Sequence, residues 1–227
     1  MSVRTVGINP ITKANPKYEG PTLELDQGMT VAGLQPESIF AHEIGHVWGL
    51  FHEHQNPAFW PKRYQQQYQF DGKVFGEELG SFNCKAINGY ADAEARARAA
   101  ANPAKGSADA EAASICVEFW QAVEYKFAGY DFLPRPGVVA EDMTSMAQTV
   151  DNVDWESIML YSSLHGGDLV LTKPDGDLII PYSKPSELDV QGIQKLYGGT
   201  YALGSLRLLN QPSNTQNAAF KKIACST

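Results

Sequence analysis

Cysteine, histidine and clustered positive charge are all scarce in this chain of 227 residues, and each scarcity excludes something. The three cysteines, Cys84, Cys116 and Cys225, allow one disulfide with one thiol left over. None lies in a C-x-x-C pair, which argues against cysteine-based zinc binding. Lys and Arg number 18 against 26 Asp and Glu, for a formal net charge of −8. The charge balance and the lack of basic clusters argue against nucleic acid and anionic membrane surfaces as partners. No run approaches the roughly 18 apolar residues of a membrane helix, so no membrane span is expected. The opening MSVRTVGINP lacks the charged start and apolar stretch of a secretory signal. Either an export signal has been removed or the chain begins partway into a longer product. What is present is an apolar fraction of 43%, enough for the core of one domain or of one domain with a sizeable insertion.

The residues before position 36 read as extended chain. Val3, Val6 and Ile8 lie in a strand-like stretch, and TLELD at 22–26 alternates Leu23 and Leu25 with polar neighbours. A helix is predicted from Pro36, a residue suited to a first helical position, to about Gly49, which can take the left-handed conformation that ends a helix. Residues 58–140 differ in composition. ADAEARARAAA at 91–101 predicts a helix, and 110–128 predicts another with Ile115, Phe119, Val123 and Phe127 on one face. This region reads as a helical insertion packed on the domain, with a functional module as the other reading. Cys84 and Cys116 either staple its two ends or are unrelated buried thiols. Extended chain follows Pro134 and Pro136 as far as residue 163, with short strands expected at 168–172 and 177–182. The last element is a helix over 186–199, opened by a Ser186/Asp189 capping box and closed by Gly198-Gly199.

The histidines are few but concentrated, four of the five falling between His42 and His54. His42 and His46 are four residues apart, so on a helix both imidazoles leave the same face. That spacing lets two ring nitrogens meet one metal ion at about 2.0–2.1 Å. Glu43 lies beside them, angled away from ligation and suited to act as a general base. A helix continuing past residue 49 would carry His52 away, whereas Gly49 permits the turn that swings it back. The whole reads H-E-x-x-H-x-x-G-x-x-H. Three histidines leave a fourth position open, as in catalytic zinc sites, because structural sites close all four. His54 is expected on the surface or in a hydrogen bond behind the ligands, and His165 reads as an ordinary loop histidine.

On these residues the sequence resembles the metzincin metallopeptidases, and among them the astacin family. SIMLY at 157–161 looks like the methionine turn that metzincins share, with Leu160 where astacins carry histidine. The resemblance implies that Met159 forms an apolar floor beneath the metal and that Tyr161 approaches it as a catalytic oxyanion stabiliser. Glu53 after the third histidine is the astacin choice, and SELDVQGIQKLYG at 186–198 resembles the family's C-terminal helix. The likeness covers about residues 3–57 and 150–198. The fold implied is α+β, a metzincin-like zincin with a small mixed sheet and active-site helix, followed by a mainly helical or irregular C-terminal subdomain. Its expected parts are 1–57 with the zinc helix, a helical insertion at 58–140, a C-terminal subdomain at 141–199 and a tail at 200–227.

The resemblance also implies the activity: a secreted zinc endopeptidase with one catalytic Zn2+, acting on protein or peptide substrates. His42, His46 and His52 hold the ion, Glu43 activates a zinc-bound water, and Gly49, Met159 and Glu53 support the site. Thr22, Leu23, Glu24, Leu25 and Asp26 resemble the upper rim of the metzincin cleft, to which an extended substrate adds as a strand. The chain departs from the family in three respects. Asn56 stands where astacins carry arginine, the family's cysteine framework is not reproduced, and nothing before residue 36 reads as the helix that backs the zinc helix. The last departure implies a catalytic domain lacking its beginning, with the partner of Cys225 upstream. It also motivates a competing expectation, a protein that retains zinc but has lost peptidase activity. A purely structural zinc module would need His54 as its fourth ligand.

Overall fold

A computed structural model of the chain describes residues 2–3, 23–24, 36–65, 70–102, 106–136 and 149–197. They form a mixed α+β arrangement of short elements in two compact units, residues 1–189 and 190–227. In the first unit, β1 (Ser2–Val3) and β2 (Leu23–Glu24) pair antiparallel, with Ser2 opposite Glu24 and Val3 opposite Leu23. The helix α1 (Pro36–Val47) lies against this pair. Val6, Ile8, Thr22, Leu25 and Asp26 lie outside the described residues.

Helix α1 begins at Pro36, whose fixed φ suits the first turn, with Glu37 placed favourably for the helix dipole. It stops where Gly49 adopts φ +99°. The Gly49 N–H donates to His46 O at 3.0 Å and the Leu50 N–H to Gly45 O at 2.9 Å, the paired bonds of a Schellman cap. Phe40 on this helix and Trp48 just past its end are exposed.

Residues 58–140 do more than decorate the domain, since most of the buried apolar side chains among the described residues come from them. Trp60, Phe59, Phe75, Phe127, Phe132 and Leu133 are fully buried and pack with Leu160 and Leu171. The expected helix at 91–101 is α2 (Tyr90–Ala100). The expected helix over 110–128 is instead two short ones, α3 (Ala108–Ser114) and α4 (Phe119–Glu124). The break falls at Ile115-Cys116-Val117. Cys116 is bonded there to Cys84, which deflects the chain, and Val123 is exposed rather than on the buried face.

The expected strand at 168–172 shortens to β4 (Asp168–Leu169), paired antiparallel with β3 (Leu164–His165), while Leu171 bridges to Phe82. Residues 177–182 form no strand. The Ser163 N–H donates to Ile179 O, but the Ile179 N–H goes to the Ser163 side-chain oxygen, so the ladder never starts. Residues 154–160 are tight turns rather than extended chain. The final helix is α5 (Glu187–Tyr197), beginning in the first unit and continuing into the second. Its capping box forms as expected: the Asp189 N–H donates to Ser186 Oγ and the Ser186 N–H to Asp189 Oδ2, both at 2.9 Å. No helix among the described residues is long and apolar enough to cross a membrane.

Candidate metal centre

His42 and His46 stand one turn apart on α1, and the Schellman cap at Gly49 folds the chain back so that His52 faces them. The three Nε2 atoms converge. His46 Nε2 is 3.0 Å from His52 Nε2, and His42 Nε2 is 3.3 Å from it. Two nitrogens bound at 2.0–2.1 Å to one tetrahedral ion stand about 3.3–3.4 Å apart, so this spacing is that of a ligand set.

The tautomers decide what those short contacts are. His42 Nδ1 is 2.7 Å from Ile158 O and His46 Nδ1 is 2.8 Å from Leu50 O. A carbonyl oxygen can only accept, so both rings carry their proton on Nδ1. His52 Nδ1 is 3.0 Å from Gln55 Oε1, and the Gln55 Nε2 atom donates to Tyr130 O and Leu133 O. Those two carbonyls orient the amide, so Oε1 faces His52 as an acceptor and this ring too is protonated on Nδ1. With each ring in its neutral form, three Nε2 lone pairs point at one another with no proton between them. The contacts are not hydrogen bonds, and the arrangement is unfavourable unless a cation takes the space.

The electrostatics agree. Burial, followed by the charge of His42, lowers the His46 pKa to about 4. Burial, then His54, holds His52 well below its usual value. Both rings are neutral at pH 7, the form that binds metal.

The methionine-turn region closes the site from below. Met159 is buried, and its Sδ would lie 2.6 Å from a Cβ at Gly45, so the thioether packs directly under α1. Asp189 pins the turn: its carboxylate accepts from Ser157 Oγ at 2.7 Å and from the Ile158 N–H at 2.9 Å. Ile158 O is the acceptor that orients His42, so Asp189 is linked to the histidine cluster through a single residue, Ile158. Glu53 joins the same turn, its N–H donating to Met159 O and its Oε1 accepting from the Asp154 N–H, both at 3.1 Å. Burial raises the Glu53 carboxyl to about 7.

Glu43 and Tyr161 both line the two cavities that share His42, of about 220 and 630 Å³. Burial raises the Glu43 pKa, and the charge of His42 opposes the rise. The Tyr161 ring centre is 4.2 Å from that of His52, and burial, then the Asp131 charge, pushes its phenol far above the usual range. Tyr161 is thus a permanent donor. Asn56, where astacins carry arginine, caps the turn at Pro57–Phe59 by accepting from the Ala58 N–H.

Of the two placements expected for His54 the structure has the second: it is fully buried, its Nε2–H donates to Asp131 O at 3.0 Å, and its ring lies nearly parallel to that of His52 at 5.3 Å. It is held away from the three Nε2 atoms, so it supplies no fourth ligand. His165, although in β3, stacks edge-on against Phe132 and lines the smaller cavity. Of the proposed cleft rim, Leu23 and Glu24 pair with β1. Sequence reasoning missed Gln55, Asp131 and Arg135. Gln55 lies three residues after His52, within helical-turn reach, which was an available signal, whereas the other two arrive from a distant segment.

A second group of candidate ligands, Glu77, Cys84 and Cys116, is closed to metal because its sulfurs are joined in the disulfide. No protein-family model matches the chain, and neither a curated protein nor a solved structure is similar to it.

Proposed function

We propose that this chain binds one zinc ion through His42, His46 and His52. The observation that carries the reading is the set of three Nδ1–H bonds, which leaves three Nε2 atoms converging, that of His52 lying 3.0 Å from His46 Nε2 and 3.3 Å from His42 Nε2. Neutral imidazoles in a three-nitrogen set leave a fourth position for a small molecule. The disulfide between Cys84 and Cys116 supports an oxidising, exported location.

The finer reading is an astacin-like zinc endopeptidase of the metzincin type. It is supported by Glu43 and Tyr161 lining the same cavities as the ligands, and by Met159 packed beneath α1. Zinc, when held there, supplies Lewis acidity towards a carbonyl and towards water. Glu43 takes the proton from the attacking water at its carboxylate and returns it to the leaving amine. Tyr161 donates its phenol hydrogen to the developing oxyanion. The substrate part of this reading is an extended peptide that adds as a strand to β2 at Leu23–Glu24.

The second reading is zinc bound without turnover, and it asks less of the chain. It needs the histidines alone, and the exposure of Phe40 on α1 and of Trp48 just past its end favours it.

The two readings separate on Glu43→Gln. In both, the variant and the parent chain bind one equivalent of zinc. The peptidase reading expects the parent to cleave casein or gelatin and the variant to lose about 10²–10⁴-fold of that rate. Zinc bound by the parent with no cleavage between pH 5 and 9 establishes the binding reading. Absence of zinc after chelator exchange rejects both.

A further inference from the structure

Three positions in the chain place an aspartate or asparagine directly before glycine: Asp71-Gly72, Asn88-Gly89 and Asp175-Gly176. Such a pair is chemically unstable where the glycine nitrogen is free, because with no Cβ in the way that nitrogen reaches the preceding side-chain carbonyl carbon. The fold treats the three pairs differently. The Gly72 N–H donates to Trp60 O and the Gly176 N–H to Lys173 O, both at 2.9 Å. Gly72 is also buried, and a Cβ there would fall 2.3 Å from Ala58 O. The Asp71 carboxylate is held by Lys73 and that of Asp175 by the Asp177 N–H.

Asn88-Gly89 has none of these restraints. Both residues are exposed, in the turn that leads into α2. The Tyr90 N–H donates to Ile87 O at 3.1 Å, closing a four-residue turn with Gly89 in its third position. Gly89 has φ +83° and ψ 5°, the type II geometry that glycine takes without strain. A turn of this kind uses the N–H of its fourth residue, and no acceptor among the described residues takes that of Gly89. The other described asparagines are protected in different ways. Asn56 and Asn102 precede prolines, which have no N–H, Asn83 precedes the buried Cys84, and Asn152 precedes the β-branched Val153.

We propose that Asn88-Gly89 is a site of spontaneous covalent modification in the folded chain. The Gly89 nitrogen gives its proton to hydroxide and bonds to Asn88 Cγ. The Cγ–Nδ2 bond then breaks, and Nδ2 takes a proton from water and leaves as ammonia. Water opens the resulting five-membered imide at either carbonyl. One opening leaves aspartate at position 88, and the other leaves isoaspartate, whose backbone runs through Cγ. Water is the one co-reactant, and hydroxide is regenerated. The product reaches beyond its own turn. Asn88 Nδ2 lies so close to the β3–β4 turn that a Cβ at Gly166 would be 2.6 Å from it. Modification places a carboxylate against that turn, next to His165, which lines the smaller cavity together with His42.

The full chain is aged at pH 7 and at pH 9, folded and in urea, and digested with pepsin at acid pH, where the imide chemistry stops. Mass spectrometry reads the replacement of NH by O at each asparagine. Methyl transfer from S-adenosylmethionine by an isoaspartyl methyltransferase reads isoaspartate. In the folded chain both signals are expected at position 88, rising with hydroxide, and not at positions 71 or 175. Unfolding in urea is expected to bring isoaspartate to all three. The rate at position 88 should change by no more than about tenfold between the two states, because an exposed turn needs no unfolding to react. Asn88→Gln, which would have to close a six-membered ring, is expected to abolish the folded-state isoaspartate signal. A folded chain in which position 88 stays intact while the urea-treated chain converts overturns the proposal without reference to any variant. So does folded-state conversion at positions 71 or 175 as fast as at 88, or an isoaspartate signal that survives Asn88→Gln.

Discussion

At the scale of single residues, the centre is built as much by the oxygens behind the rings as by the rings. Each histidine is oriented by one acceptor, Ile158 O, Leu50 O or Gln55 Oε1, and of these only Gln55 is a side chain that mutation can remove cleanly. Gln55→Leu takes away that acceptor and leaves Tyr130 O and Leu133 O without their donor. Zinc affinity is expected to fall about 10–100-fold, the usual effect of losing such a supporting bond. Competition against a fluorescent chelator measures it. Gln55→Glu separates orientation from packing: it keeps an acceptor for His52 while losing both donations, so most of the affinity is retained although stability drops. Equal affinity in Gln55→Leu and the parent would remove Gln55 from the account. Little of this was legible in the sequence. The H-E-x-x-H-x-x-G-x-x-H spacing depends only on helix geometry and one glycine, whereas the His42 tautomer depends on a carbonyl 116 positions away, Ile158 O.

At the scale of elements, the metal centre joins three pieces: α1, the turn around Met159 and the start of α5. The joint is Asp189, buried, which accepts from Ser157 Oγ, the Ile158 N–H and the Ser186 N–H. One carboxylate thus caps a helix and holds the turn whose carbonyl aims His42. Asp189→Ala leaves buried donors unpaired and removes the cap, at an expected cost of about 3 kcal/mol in urea unfolding of the zinc-free chain. A loss under about 0.5 kcal/mol would mean the turn is held elsewhere. The Ser186/Asp189 box was readable because it is local. Its second duty was not, since nothing in SELD says what lies 32 positions upstream. Elements failed to match the sequence reading for a similar reason: α3 and α4 separate where the bonded Cys116 deflects the chain, and periodicity carries no trace of that bond.

At the scale of the whole molecule, the segment at 58–140 joins core and site. It contributes most of the buried apolar side chains among the described residues, and it brings Tyr130, Asp131 and Arg135 to the cavity of the histidines. The Cys84–Cys116 disulfide closes a loop within it across a sequence separation of 32. A loop of that size is worth about 3–4 kcal/mol of stability in the chain-entropy description. Reduction is therefore expected to lower the thermal midpoint by several degrees, read by circular dichroism with and without a phosphine reductant. Zinc binding below that midpoint stays unchanged, because His42, His46, His52 and Gln55 all lie outside the loop. Loss of zinc on reduction would show that the loop carries the centre as well. The sequence by itself determined the three histidines of the candidate site and the glycine that returns the third, because helical spacing and turn conformation are set by neighbours along the chain. Only the tertiary structure decided that His54 is buried behind the site, that Gln55 and Ile158 orient the rings, and that Arg135 faces the same cavity. Those relations depend on which distant segments share one core, and no local pattern encodes that.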